Sequence, residues 1–326
     1  MNPSPIQTGF DRMFQPNQLT VGVFFPIEAY KGNIPTMQHQ VELAQRAEAL
    51  GYAALWVRDV PLYDPTFGDV GQIFDPWVYL GYMAAKTDRI ALATGSIIFS
   101  QRHPLHLAKS AASVDQLSGG RLVMGVASGD RPVEFPAFGV DFETRGDRFR
   151  QTFADFKQAL ASEFPVIRSS LTQLEGADVL PKPVHGSIPL LVTGHSRQTP
   201  EWIAEHADGW LYYPRHPHMQ ARMIQDWRAL VDRVAPGRFK PYAQSLYVDL
   251  VNDPTAAATP IHLGYRLGRD RLLDLLLHLR DIGVNHVGLN LKYGERPAGD
   301  VLEEIGREVL PHIHSEVLTH ERVSVG

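Results

Sequence analysis

A short apolar run followed by a helix-patterned segment recurs eight times between residues 19 and 312. No other property of the chain constrains its fold as much. Strands joined through helices pair in parallel, because each crossover returns the chain to the same end of the sheet. Such crossovers are right-handed, and eight of them close into a (β/α)8 TIM barrel. The strand segments are 19–25, 53–57, 90–94, 121–126, 190–192, 210–213, 243–251 and 286–291, the third running on through Gly95-Ser96 into Ile97-Ile98-Phe99. Between them lie helices at 37–50, from Asp75-Pro76 to 86, from His103-Pro104 to Ser118-Gly119-Gly120, at 145–162, from Thr199-Pro200 to about 208, and at 219–234, 262–282 and 300–312. An open doubly wound sheet is the competing architecture. It lacks support because no Gly-x-Gly-x-x-Gly follows the first strand.

The expected organisation is an N-terminal arm over 1–18, a single barrel domain over 19–313 and an unanchored tail over 314–326. Two loops are long, 60–75 and 165–187, and connections of that length are functional or mobile. A chain of 326 residues with 44% apolar and 21% charged residues can bury such a core. Its net charge of −5, with no basic cluster, argues against a nucleic-acid partner. With no cysteine there is no disulfide, thiolate nucleophile or cysteine-ligated metal. No leader-like N-terminus and no membrane-spanning run are visible, so a cytoplasmic protein without membrane contact is expected.

Barrel chemistry gathers at the C-terminal ends of the strands. There the sequence offers Phe25, Arg58, Asp59, Gly95, Ser96, Ser128, Gly129, Asp130, His195, Ser196, Tyr213, Arg215, Asn252 and Lys292. A metal is not expected: strand one ends in Phe-Phe-Pro, and the pairs His216/His218 and His312/His314 do not converge. Lys292 could serve a Schiff-base lyase, although a snorkelling surface lysine accounts for it more simply. Asp59 and Asp130 each have an adjacent arginine, Arg58 and Arg131, and read as salt-bridged structural acids.

One stretch remains, 188–202. Its apolar strand passes through Gly194-His195-Ser196-Arg197-Gln198 into a helix capped by Thr199, with Pro200 at the first helical position. Free N–H groups, two hydroxyls and an arginine at a helix N-terminus are the parts of a phosphate site. An ordinary strand-to-helix turn is the plain alternative. Phe24, Phe25, Trp56, Phe99, Trp210, Tyr212 and Tyr213 lie in or beside strands, so a planar apolar ligand carrying a phosphate would suit the rim. With no strong nucleophile of its own, the protein would position an organic cofactor that carries the chemistry.

Three fragments carry a family resemblance. They are His103-Pro104-Leu105, then Ser113-Val114-Asp115-Gln116-Leu117-Ser118-Gly119-Gly120-Arg121 with Gly125-Val126-Ala127-Ser128-Gly129, then Gly194-His195-Ser196 with Thr199 and Trp202 before Ala207-Asp208-Gly209. In this order the chain resembles, over about 18–312, the luciferase-like flavin-dependent monooxygenases, a family that also includes F420-dependent oxidoreductases. The resemblance implies a barrel holding reduced FMN at its C-terminal rim and oxygenating a small organic substrate. It also implies a non-proline cis peptide at Gly95–Ser96. The implied cofactor contacts are Phe25, Thr94, Gly95, Ser96, Ser128, Gly194, His195, Ser196, Arg197 and Thr199. His195, Ser196 and Thr199 match phosphate-holding positions. Ser128 stands where some members have an arginine, so Arg197 or Arg102 would supply the charge. Some members place a histidine after strand two; this chain has Arg58-Asp59-Val60, and Asp59 or Arg58 would orient the substrate. The loops at 60–75 and 165–187 would exclude water. A homodimer and a separate flavin reductase are the expected partners. The alternatives are an F420-dependent hydride-transfer enzyme and a non-catalytic flavin-binding protein.

Overall fold

The computed structural model describes residues 8–315. Its eight parallel strands are β1 Thr20–Phe24, β2 Ala54–Val57, β3 Ala91–Ile98, β4 Leu122–Ala127, β5 Leu190–Thr193, β6 Gly209–Tyr212, β7 Tyr242–Leu250 and β8 His286–Asn290. They pair in chain order, and β8 returns to β1 through Thr20↔His286 to Val23↔Leu289, closing the ring. One helix per strand packs outside: α1 Gln40–Ala49, α2 Pro76–Ala84, α3 Pro104–Ser118, α4 Arg145–Ala161, α5 Pro200–His206, α6 Pro217–Val234, α7 Arg269–Asp281 and α8 Ala298–Glu308, with two short helices, Glu134–Ala137 and Leu310–Ser315, besides. The (β/α)8 expectation therefore holds.

The helix starts are chemically specified. Asp75 accepts the N–H groups of Trp77 and Val78 ahead of α2, and Thr199 accepts that of Trp202 ahead of α5, each with proline next in line. His103 caps α3 through Nδ1.

Alternation along each strand sorts the core into two shells. Val21, Val23, Phe25, Leu55, Val57 and Leu92 face outward to the helices. Phe24, Ala54, Trp56, Ala91, Ala93, Val123, Leu191, Leu211 and Ala243 fill the inside of the barrel. Small residues make room there for Phe24 stacked on Trp56, with ring centroids 5.5 Å apart. A Cβ on Gly288 would stand 2.6 Å from the Phe24 ring, and one on Gly22 would stand 2.8 Å from His286, so both positions need glycine.

Three expectations change. The N-terminal segment is not merely an arm lying over the domain. Thr8–Met13 is a helix, and Met13 and Phe14 are buried in the inner shell, where Phe14 meets the His286 ring edge-on at 5.9 Å. It plugs the N-terminal end of the barrel, with Gly9 N–H donating to the Gly120 carbonyl at 3.0 Å. Residues 1–7 of the expected arm, and 316–326 of the expected tail, lie outside the described residues. Second, the segment read as the start of a helix at 262 is a hairpin, Thr259–Ile261 with Gly264–Leu267, whose second strand adds to β7. Helix α7 begins only at Arg269.

The third change concerns 165–187. This segment follows α4 and leads into β5, so it lies at the end of the barrel where helices return to strands. It packs on the end of α3: Asp115 accepts the Val184 N–H at 2.8 Å, and Gln116 donates to the Lys182 carbonyl at 2.8 Å. It carries a small hairpin, Ile167–Arg168 with Gln173–Leu174, and cannot shield the opposite end of the ring.

Candidate active site

A cavity of about 570 Å³ opens at the C-terminal end of the strands, within the ~300–1,000 Å³ usual for small-ligand sites. Its floor is Phe24 and Leu211. Gly95, Ser96, Ser128 and Gly129 line the cavity next to Thr193, Gly194, His195 and Ser196, from three neighbouring strand ends. The Gly95–Ser96 peptide is cis, and the β3–β4 register shifts between Thr94 and Ile97. The Ser96 and Thr193 hydroxyls are hydrogen-bonded to one another and tie the end of β3 to the end of β5.

The turn entering α5 is uncovered, with His195, Arg197 and Thr199 exposed. Gly194, Ser196 and Arg197 have φ of 56°, 46° and 61°. Left-handed backbone at two consecutive non-glycine residues is unusual and marks a turn held by its surroundings. The holding contacts are visible. Gly194 N–H donates to the Leu211 carbonyl at 2.8 Å, and Trp210 Nε1 donates to the Gly194 carbonyl at 2.6 Å. Gln198 donates to the Gly146 carbonyl at 2.9 Å, tying the turn to the first turn of α4. Among the described residues, no hydrogen bond engages the backbone N–H groups of Ser196 and Arg197. Ser196 Oγ donates to the Thr193 carbonyl at 2.8 Å, and Thr199 Oγ1 accepts from Trp202 at 3.2 Å, which leaves the Thr199 hydroxyl proton free to donate.

Positive charge near this turn, outside the cavity lining, comes from Arg197, which pairs with Glu143 at 3.9 Å, and from Arg145, which stands over the Phe142 ring at 3.5 Å and which the sequence did not point to. Burial and the neighbouring Arg197 charge both push the Arg145 guanidinium below its ordinary value. Arg102 contributes nothing here. It binds Asp59 through two bonds, Nη2 at 2.7 Å and Nε at 3.0 Å, and lines a separate cleft with His103 and His106.

Of the expected contacts, Phe25, Thr94, Arg197 and Thr199 do not line the cavity; Arg197 and Thr199 lie on the exposed part of the turn beyond Ser196. Phe25 is wholly buried in the outer shell against Tyr79, one residue out of phase with Phe24, which takes the expected place. Thr94 is also wholly buried and donates to the Gly125 carbonyl at 2.8 Å. Tyr213 lines the cavity, and burial, with the Asp130 charge in second place, pushes its phenol up. Arg215 and Asn252 do not line it; Arg215 stands over the Tyr212 ring at 5.3 Å. His216 and His218 are exposed at the start of α6.

The acids at the rim are not paired with their sequence neighbours. Asp59 is buried, held by Arg102, and accepts the Ile98 N–H at 3.1 Å. Arg58 pairs instead with Asp69 at 2.7 Å. Both Arg58 and Asp59 line the cavity, as do Val60 and Phe67 from the 60–75 loop. Lys292 is a buried residue, not a surface lysine, and lies outside this cavity. The hairpin after β7 brings in His262 and Leu263, while Ser245, Tyr247 and Asn290 enter from β7 and β8. Sequence reading missed all five. Asn290 and Tyr247 lie at or near strand ends, but only the register tells which side chains face inward.

Residues 19–267 match the luciferase-like monooxygenase family. The chain belongs to that family. An uncharacterised protein of Mycobacterium tuberculosis is 31% identical over 204 residues, spanning 57% of this chain and 72% of that protein. Among solved structures, an EDTA monooxygenase from Chelativorans sp. BNC1 superposes with a TM-score of 0.75 at 15% identity, covering 93% of this chain and 95% of its own. An F420-dependent secondary alcohol dehydrogenase in complex with an F420-acetone adduct gives 0.74 at 16%, covering 91% and 99%. These likenesses establish the luciferase-like barrel. No helix among the described residues is long and apolar enough to cross a membrane.

Proposed function

We propose that this luciferase-like protein binds reduced FMN in the barrel mouth and uses O2 to oxygenate a small organic substrate. The observation that carries the reading is the uncovered turn entering α5, whose Gly194, His195 and Ser196 line one cavity with Gly95–Ser96 and Ser128–Gly129. The donor set fits the cofactor. Two unengaged backbone N–H groups, the Thr199 hydroxyl, Arg197 and Arg145 suit a phosphate dianion at a helix N-terminus. Phe24 and Leu211 offer an apolar floor for a flat ring.

When bound, reduced flavin supplies two electrons and the reaction with O2 that delivers one oxygen atom to substrate and the other to water. The chain's own residues position and exclude. Asp59, whose carboxylate oxygens are taken up by Arg102 and the Ile98 N–H, acts by position. Arg58 faces the substrate side, and Phe67 and Tyr213 at the rim limit water entry. We assign supply of reduced flavin to a separate reductase and place the protein in the cytoplasm. We assign two-fold self-association to the exposed apolar face formed by Ile73, Phe74, Val78 and Tyr82 before and along α2.

F420 is the second reading, because the F420-dependent dehydrogenase and the EDTA monooxygenase superpose almost equally well. Fluorescence titration of the full chain with FMN and F420 separates them. FMN bound at least about tenfold more tightly supports the first reading. The reverse order selects the second, and binding of neither contradicts both.

A further inference from the structure

A second cavity of about 1390 Å³ adjoins the mouth and shares Arg58, Phe67, Arg131, Tyr247 and His262 with it. It lies among the loops that follow β1, β2 and β8. Its inner wall gathers three cations around one carboxylate. Arg58 Nη2 donates to Asp69 Oδ2 at 2.7 Å. Lys292 Nζ stands 3.6 Å from Asp69 Oδ1 and donates to the Gly32 carbonyl at 2.7 Å. Arg131 Nη2 donates to the Asp69 backbone carbonyl at 2.8 Å. Lys292 and Arg131 are only 5% and 8% exposed.

The other acids in reach are engaged elsewhere: Asp64, near Arg131, accepts the Thr66 N–H and hydroxyl at 2.9 and 2.7 Å. Glu295 is paired with Arg266 at 3.0 Å, and Glu28 accepts the backbone N–H groups of Thr36 and Met37. Glu134 lies beyond Arg131 and accepts from Gln101 at 3.2 Å; burial pushes its carboxyl up, as burial pushes the Lys292 ammonium down. Asp69 is ionised: burial opposes this, but Arg58 and Tyr30 hold its carboxyl down at about 2. Arg58 Nε and Arg131 Nη1 are buried with no acceptor among the described residues. A buried surplus of positive charge is costly unless something pairs with it. Next to this surplus the wall is aromatic, with the Tyr247 and Tyr293 rings 4.9 Å apart.

We infer that this second cavity is the substrate pocket, and that the substrate is a small organic acid. Its oxyanion meets Arg58, Arg131 and Lys292, and its carbon body lies against Tyr247 and Tyr293 and reaches into the mouth. That the ligand is a substrate rests on the cofactor reading of the mouth. The preference for an anion is a property of the cavity itself.

Calorimetry on the full chain with benzoate and benzamide, a charged and a neutral probe of one shape, tests the inference. Benzoate is expected to bind at least about tenfold more tightly than benzamide. Lys292→Met should remove most of that preference while leaving benzamide and FMN binding unchanged, and Asp69→Asn should tighten benzoate. Equal binding of the two probes by the unaltered protein overturns the inference and needs no variant to fold. Loss of FMN rather than benzoate affinity in Lys292→Met also overturns it, since the cations would then hold the cofactor. A benzoate preference without binding of FMN or F420 upholds the anion pocket and refutes the cofactor reading.

Discussion

Thr199 has two tasks in the proposed reading: its oxygen caps α5, and its hydroxyl proton, with no acceptor among the described residues, is left to donate to the phosphate. Thr199→Ala should therefore cost about 1 kcal/mol of stability from the lost cap and a further ~1.5–3 kcal/mol of FMN binding. Thr199→Asp separates the two, because aspartate caps as well as threonine but repels a phosphate; denaturant melts and flavin titration read each effect. His286 is informative in another way. It is wholly buried, accepts from Trp56 Nε1 at 3.0 Å, and contacts Thr20 Oγ1 through Nδ1 at 2.6 Å. Burial lowers its pKa from 6.5 to about 3. Between those values the unfolded chain binds the extra proton, so stability falls as pH falls below 6.5, by up to about 1.4 kcal/mol per pH unit. Above 6.5 the contribution is complete. His286→Gln keeps an acceptor for Trp56, and urea melts from pH 7 to pH 4.5 should show a shallower loss than in the unaltered protein.

Among the elements, the N-terminal helix Thr8–Met13 is the piece whose role composition hid. Its segment is polar overall, yet Phe10, Met13 and Phe14 supply the apolar plug of the barrel. Phe14→Ala should cost about 3–5 kcal/mol, seen as a lowered Tm, with FMN affinity intact while the protein is folded, because the plug and the mouth lie at opposite ends. The elements also show what the chain made legible. Capping residues placed the starts of α2, α3 and α5 because those signals are local. The turn at 194–199 was legible for the same reason: cap, proline and hydroxyls all lie within a few residues. Phe24 and Phe25 could not be told apart, since a run of apolar residues does not declare which parity faces inward; only pairing with β2 and β8 decides that. Arg145 was invisible because it meets Arg197 across two elements far apart in sequence. The hairpin at 259–267 was missed because Leu-rich helical patterning downstream masked the short run Thr259–Ile261.

For the whole molecule, ring closure puts every β-to-α loop at one end, so residues from all eight strands and the loops after them meet in one mouth without any sequence proximity. That geometry explains why the order of units foretold which strand-end residues would come together, while the cation-lined annex beside the mouth needed coordinates. The exposed apolar face on α2 belongs to this scale as well. If it joins two copies, Val78→Asp should convert a dimer to a monomer in light scattering after size exclusion, without loss of Tm beyond that due to dissociation. The central claim is that the turn entering α5 grips the phosphate of a flat redox cofactor. The affinity ratio of FMN to riboflavin, which lacks the phosphate, tests it most directly in the unaltered protein and in Thr199→Asp. The account predicts a ratio on the order of 100 or more in the former, collapsing toward one in the latter. Equal binding of FMN and riboflavin by the unaltered protein, or a folded Thr199→Asp that keeps the full preference for FMN, would contradict it.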